Sequence, residues 1–180
     1  MLSLFRRADP DRDAAQALFR AISEQARRPE FYTRLGVPDT IDGRFDLLVL
    51  HAFLVMEALK ASGKKGEVVG THLATAIFAS LDDALRELGV SDMGLSRRIK
   101  AMANAFYGRL SAYAAAVDAP EMLETLLRNL YRGEENARAS AGLVSSYVLH
   151  SLECLRAGES AATVLKGTVM FAPLPEISAA

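Results

Sequence analysis

The chain has 180 residues, of which 51% are apolar and 24% charged, and a formal net charge of −1. That length and composition predict one globular domain able to bury its own core, and the near-zero charge gives no field for nucleic acid or an anionic membrane. The single cysteine, Cys154, rules out an intramolecular disulfide and any Cys-rich metal centre, and reads as a small apolar residue on a helix face.

Strand periodicity is nearly absent, and apolar residues recur at helical spacing from end to end. The N-terminus acquires charge by Arg6 and has no secretory apolar run. Asp9 followed by Pro10 predicts a helix start, with the helix running to about Arg27. Pro29 opens a short helical turn ending at Gly36, and Val37 is held extended by Pro38. A helix over about Ile41–Ala61 is apolar nearly all round from Leu47 to Met56, the pattern of an element buried on every side, and is too short an apolar run to span a bilayer.

Ser62-Gly63-Lys64-Lys65-Gly66 reads as a solvated linker before a helix at about Glu67–Leu88. Gly89 suits a left-handed helix end, with Val90 placed over Leu85. Ser91 or Asp92 can cap the next helix, about Leu95–Val117, whose core stripe is Leu95, Ile99, Met102, Phe106, Leu110, Tyr113 and Val117. Asp118 with Pro120 predicts a helix to Arg132, and another covers about Ser140–Ala157. After Gly158 a short helix precedes Pro173 and Pro175, in a tail either extended along the body or frayed. The fold class is all-α: a bundle of six or seven helices around a buried central one.

No catalytic set assembles from these elements. Asp82, Asp83 and Glu87 suggest a loosened aspartate-rich magnesium motif, but Arg86 interrupts it and no second motif follows; Asp82 instead faces Arg86 one helical turn on. His51, His72 and His150 lack paired Glu-x-x-His spacing; His51 reads as a neutral, hydrogen-bonded core residue, with haem ligation by His51 or His150 as the sharper alternative. There is no nucleophile elbow and no phosphate-binding glycine loop. Arg97, Arg98, Lys100 and Arg109 lie on or beside the face opposite the core stripe, which makes them either a solvated face or a docking face.

Four phrases remain: Leu35-Gly36-Val37-Pro38-Asp39-Thr40 running into Asp42-Gly43-Arg44-Phe45-Asp46; Leu85-Arg86-Glu87-Leu88-Gly89-Val90 with Asp92; Lys100 through Phe106-Tyr107-Gly108-Arg109; and Arg128-Asn129-Leu130-Tyr131. In this order, from about Phe31 to Arg132, they resemble the ubiquinol–cytochrome-c chaperone family of cytochrome bc1 assembly factors. The resemblance implies an all-helical, cofactor-free, non-enzymatic factor that binds newly made cytochrome b or a bc1 assembly intermediate, together with a small partner protein. Without a mitochondrial targeting extension a bacterial version is expected, and without a secretory or spanning run a cytoplasmic one, with peripheral contact at the inner membrane.

Candidate partner-binding residues are Asp39, Arg44, Asp82, Asp83, Arg86, Glu87, Asp92, Arg97, Lys100, Tyr107, Arg109 and Arg128, with the client surface expected on the Asp82–Asp92 corner and the Arg97–Arg109 helix. For Asp39, Asp42 and Arg44 the alternative is a purely structural role at the start of the buried helix. Gly108 either opens an interface beside Tyr107 or lets a neighbouring helix approach. The rival function is a small helical enzyme or ligand carrier for a prenyl diphosphate, quinone or haem, which requires a closed apolar cavity.

Overall fold

The apolar run Leu47–Met56 organises the molecule. In the computed structural model, which describes residues 9–117 and 121–175, it forms the middle of α3 (Ile41–Lys60), and Leu47, Val49, Leu50, Leu54 and Val55 have no solvent exposure. Around α3 pack α1 (Pro10–Ala26), α4 (Gly63–Glu87), α5 (Asp92–Ala116), α6 (Met122–Leu130), α7 (Arg138–Arg156) and α8 (Gly158–Val164). A five-residue turn, α2 (Pro29–Thr33), inserts Phe31 into the same core. No strand occurs among the described residues. Full burial of each large aliphatic side chain contributes about 1.5–3 kcal/mol, so α3 is held by its neighbours rather than by its own propensity.

Local chemistry sets the helix ends. The Asp9 carboxylate accepts from the Arg12 amide at 3.3 Å with Pro10 opening α1, and Thr40 Oγ1 accepts from the Gly43 amide at 3.1 Å to cap α3. Gly89 is left-handed (φ 76°); its N–H donates to Arg86 O at 2.9 Å and that of Val90 to Leu85 O at 3.2 Å, the paired bonds of a Schellman end.

Three boundaries differ from the expected ones. Residues 63–66 are not a linker but the first turn of α4, and only Ala61 and Ser62 separate it from α3. The corner can be this tight because Gly66 lies against the Leu59 carbonyl, where a Cβ would sit 1.9 Å from the oxygen. Helix α5 begins at Asp92 rather than Leu95, and α7 begins at Arg138 rather than Ser140. The expected start of α6 at Asp118–Pro120 and the chain after Pro175 lie outside the described residues, as do residues 1–8.

The tail to Pro175 packs along the body. Gly167 crosses α1, where a Cβ would be 2.9 Å from Ala17 Cβ; Ala172 N–H donates to Ser151 Oγ at 3.2 Å. Phe171 lies edge-on to His51, ring centroids 5.1 Å apart. His51 itself is fully buried: Nδ1 donates to Leu47 O at 2.7 Å, which leaves Nε2 to accept from the Tyr147 hydroxyl at 2.9 Å, and Gln25 donates to that hydroxyl oxygen at 3.1 Å. Burial depresses its pKa to about 4, so it is the neutral core histidine of the simpler reading.

A candidate partner-docking groove

The first turns of α3, the last turns of α4 and α5 as far as Arg109, with the end of α1 and Tyr32 beside them, leave two adjoining surface depressions at one end of the bundle. One part, about 560 Å³, has an apolar floor of Phe45, Leu48, Leu81, Leu85 and Met102; the adjoining part, about 680 Å³, sets the charged groups of Asp42, Asp46, Arg98, Arg109 and Arg132 among apolar side chains. Ile41, Phe45, Leu85 and Met102 line both. Ile41 and Leu88, 67% and 61% exposed, stand on the rim as large apolar groups held out in water. Met102 belongs to the α5 core stripe, where Leu95 and Phe106 are buried and Met102 between them is half-buried and open to the depression.

At the polar end Asp46 is wholly buried and has two arginines for company. Arg132 donates from Nη2 to Oδ2 at 2.7 Å, and Arg109 places Nη2 2.8 Å from Oδ1. The second approach is close but poorly aligned: Oδ1 receives no hydrogen bond, and Arg109 Nε, also buried, has no acceptor. Arg109 lies over the Phe45 ring at 5.7 Å, and Arg132 reaches Asp42 at 3.7 Å. Desolvation raises the Asp46 pKa to about 6; Arg109 and then Arg132 pull it down and Asp42 pushes it up, so the dry surroundings outweigh the two cations.

Arg132 also has a left-handed backbone (φ 58°) at the end of α6, where the Gly133 N–H donates to Leu127 O at 2.9 Å. A side chain in that conformation costs about 1 kcal/mol or more relative to glycine, and here it is the conformation that delivers the guanidinium to Asp46.

The residues singled out in the sequence divide into three groups. Arg44 and Glu87 line the groove, and Arg44 pairs with Asp39 at 2.7 Å while lying 5.7 Å over Tyr32. Asp82 and Arg86 form the expected one-turn ion pair at 2.7 Å on the outer face of α4, next to exposed Asp83; Arg97 and Lys100 are exposed on α5. Asp92 opens α5, and its side chain lies outside the described residues.

The structure separates the others. Tyr107, 55% exposed, belongs to a different depression between α3, α4 and α5, its ring tilted by 36° against Phe78 with centroids 6.1 Å apart. Arg128 sits on α6 with Nη2 3.5 Å from Thr125 Oγ1. Arg109 is not on a solvated face: its side chain is only 16% exposed because Asp46 draws it inward. Gly108 does not admit a neighbouring helix, since a Cβ there would meet nothing within 4 Å.

Asp46 and Arg132 were not singled out from sequence. The available signal was an acidic residue one turn after Asp42, leading straight into the all-round apolar segment of α3. A carboxylate at that depth requires a partner, though not one that spacing can name. Among the described residues no three His, Cys, Asp or Glu side chains cluster as metal ligands, and no helix is long and apolar enough to cross a membrane.

The comparisons extend the resemblance well past Arg132. The family described as ubiquinol-cytochrome C chaperone matches residues 33–170. The ubiquinol-cytochrome-c reductase complex assembly factor 1 of Xenopus laevis is 21% identical over 165 residues, covering 91% of this chain and 82% of that protein. The human protein of the same name is 22% identical over 165 residues, and the match covers 91% of this chain but only 55% of its own length. Among solved structures, the Cbp3 homolog from Brucella abortus superposes with a TM-score of 0.80 at 32% identity, covering 95% of this chain and 96% of that one. An all-α bundle with this helix order, matched over most of its length, places the chain in the ubiquinol–cytochrome-c chaperone family.

Proposed function

We propose that this chain is a non-enzymatic assembly factor of the ubiquinol–cytochrome-c reductase (bc1) complex, and that the groove at the α3–α4–α5 end engages newly made cytochrome b at the cytoplasmic face of the inner membrane. The observation that carries the reading is the groove: an apolar floor, two large apolar side chains exposed on its rim, and charged groups fixed at one end. A factor that shields a membrane client needs apolar surface that can be covered temporarily, with polar groups to set register. Scattered exposed apolar residues are ordinary, but Ile41 and Leu88 flank one depression rather than lying apart.

The ligand-carrier reading has less support. Its closed apolar cavity would lie in the bundle centre, where Phe53 packs against Tyr113 at 5.5 Å and Phe106 against Phe78 at 5.3 Å. The experiment is a deletion strain complemented with groove variants. Loss of cytochrome b and of bc1 activity on deletion, restored by the native chain and not by Ile41→Asp with Leu88→Asp, supports the proposal. Normal cytochrome b and bc1 activity in the deletion strain overturns it.

A further inference from the structure

We propose that the groove selects an apolar helical segment that carries a carboxylate, with its acidic side chain seated against Arg98 in the cleft beside Asp46. The proposal rests on the client-binding reading above and adds the chemistry by which a client is recognised. Its ground is the distribution of charge along the depression.

The chain as a whole is slightly acidic, with a net charge of −1. The polar cleft reverses that sign: three guanidiniums, of Arg98, Arg109 and Arg132, face two carboxylates, of Asp42 and Asp46. Arg109 and Arg132 are committed to Asp46. Arg98 makes no ion pair or hydrogen bond among the described residues, and Asp42, 80% exposed, is engaged only at 3.7 Å by Arg132. At the far end of the apolar floor Arg27 likewise has no ion pair, while Arg44 is occupied by Asp39. Glu87 also lines that floor, so the five guanidiniums of the depression meet Asp42, Asp46, Glu87 and, through Arg44, Asp39, which leaves one cationic charge over. Because Asp46 titrates near 6, even its share of that neutralisation is incomplete as the pH falls toward that value.

Two features make the occupant a polypeptide segment rather than a free anion or a flat membrane surface. The apolar floor and the cationic cleft share Ile41, Phe45, Leu85 and Met102, so whatever covers one meets the other. The cationic groups also border a cleft, with Arg109 deep in it at 16% exposure and Arg98 exposed at its edge, so that a side chain can reach along it where a bilayer plane cannot. A carboxylate on an apolar helix lying over the floor would meet the exposed Arg98 guanidinium at the cleft edge in a charge-assisted hydrogen bond.

The test uses the full chain and three synthetic amphipathic helices of about 18 residues, identical except for one residue at the edge of the apolar face: Glu, Gln or Lys. The Glu peptide is expected to bind about threefold tighter than the Gln peptide, with the Lys peptide weakest. Arg98→Gln should erase the difference between Glu and Gln, and Arg98→Glu should invert the order in favour of Lys. Because Arg98 is exposed, both variants should melt like the native chain.

Equal binding of the three peptides, binding of none, or an order unchanged by Arg98→Glu overturns the proposal. So does displacement of the Glu peptide by vesicles containing about one third phosphatidylglycerol, if that displacement depends on Arg98, since the surface would then be a lipid site. An array of overlapping cytochrome b peptides separates the two claims. If the designed peptides obey the charge rule and no cytochrome b peptide binds, the charge rule stands and the client assignment fails.

Discussion

Replacing Asp46 by Asn should stabilise the protein at neutral pH. Asn is nearly isosteric with the protonated acid, so the substitution fixes the side chain in the form that burial prefers. The folded-state pKa is raised from 3.8 to about 6, and at about 1.4 kcal/mol per pH unit the ionised form is disfavoured by about 3 kcal/mol. Removing one member of a buried ion pair ordinarily destabilises by about 3–5 kcal/mol, because it leaves a dry charge behind. Here that cost is smaller: the Arg132 side chain, 44% exposed, can take up water, and Arg109, 16% exposed, can donate to the amide oxygen that replaces Oδ1.

The pH dependence provides a second check. A carboxyl whose folded pKa is raised favours folding fully below pH 3.8 and loses that contribution as pH rises through about 6. His51 acts in the opposite sense. Its folded pKa is lowered from 6.5 to about 4, so its contribution is present above pH 6.5 and about 3 kcal/mol is lost as pH falls toward 4. In the native chain the two nearly cancel over this window; in Asp46→Asn only the His51 loss remains. Urea unfolding between pH 4 and pH 7.5 should show the variant more stable by about 3 kcal/mol at neutral pH, or roughly 5–10 °C in Tm, with the advantage vanishing near pH 4. A variant less stable than the native chain at pH 7 would refute the reasoning and show that pairing outweighs desolvation at this carboxylate.

Further outcomes follow from the same geometry. Gly43→Ala places a Cβ 2.0 Å from the Pro38 carbonyl oxygen and should lower stability by about 2–4 kcal/mol, whereas Gly108→Ala, facing open space within a helix, should raise it by about 0.5–1 kcal/mol; chemical denaturation distinguishes them. Tyr147→Phe removes the hydroxyl that donates to His51 and accepts from Gln25, and should cost about 1–3 kcal/mol by the same measurement. Ile41→Asp and Leu88→Asp alter exposed side chains and should leave stability within about 0.5 kcal/mol of native while abolishing complementation of bc1 activity.

The elements that were legible in the sequence are those decided by local rules. An apolar run with no polar face means a helix surrounded by others, Asp9-Pro10 marks a helix start, and Gly89 with Val90 marks a helix end; each was readable because the residues involved lie within a turn or two of one another. The Gly63–Gly66 stretch reads as a linker in the sequence, yet glycine also permits close approach of two backbones, and its partner there, the Leu59 carbonyl, depends on how α4 folds back on α3. The polar end of the groove was least legible. Asp46 and Arg132 are 86 positions apart, and Arg132 reaches its partner from a backbone conformation that residue type argues against. Arg109 appeared to belong to a solvated stripe, since helical periodicity places it opposite the core face; a buried carboxylate on another helix reorients it, and no pattern within α5 encodes that.

The central claim, that the α3–α4–α5 groove holds cytochrome b during bc1 assembly, is tested most directly by photocrosslinking in living cells. A photoreactive residue is placed at Ile41 or Leu88, with exposed Met170 as the control position, and newly made cytochrome b is pulse-labelled. The account predicts a labelled adduct from both groove positions that appears early, declines as bc1 complex accumulates, and is absent from position 170. Adducts from position 170 alone, or a groove that captures no cytochrome b while assembly proceeds, would contradict it.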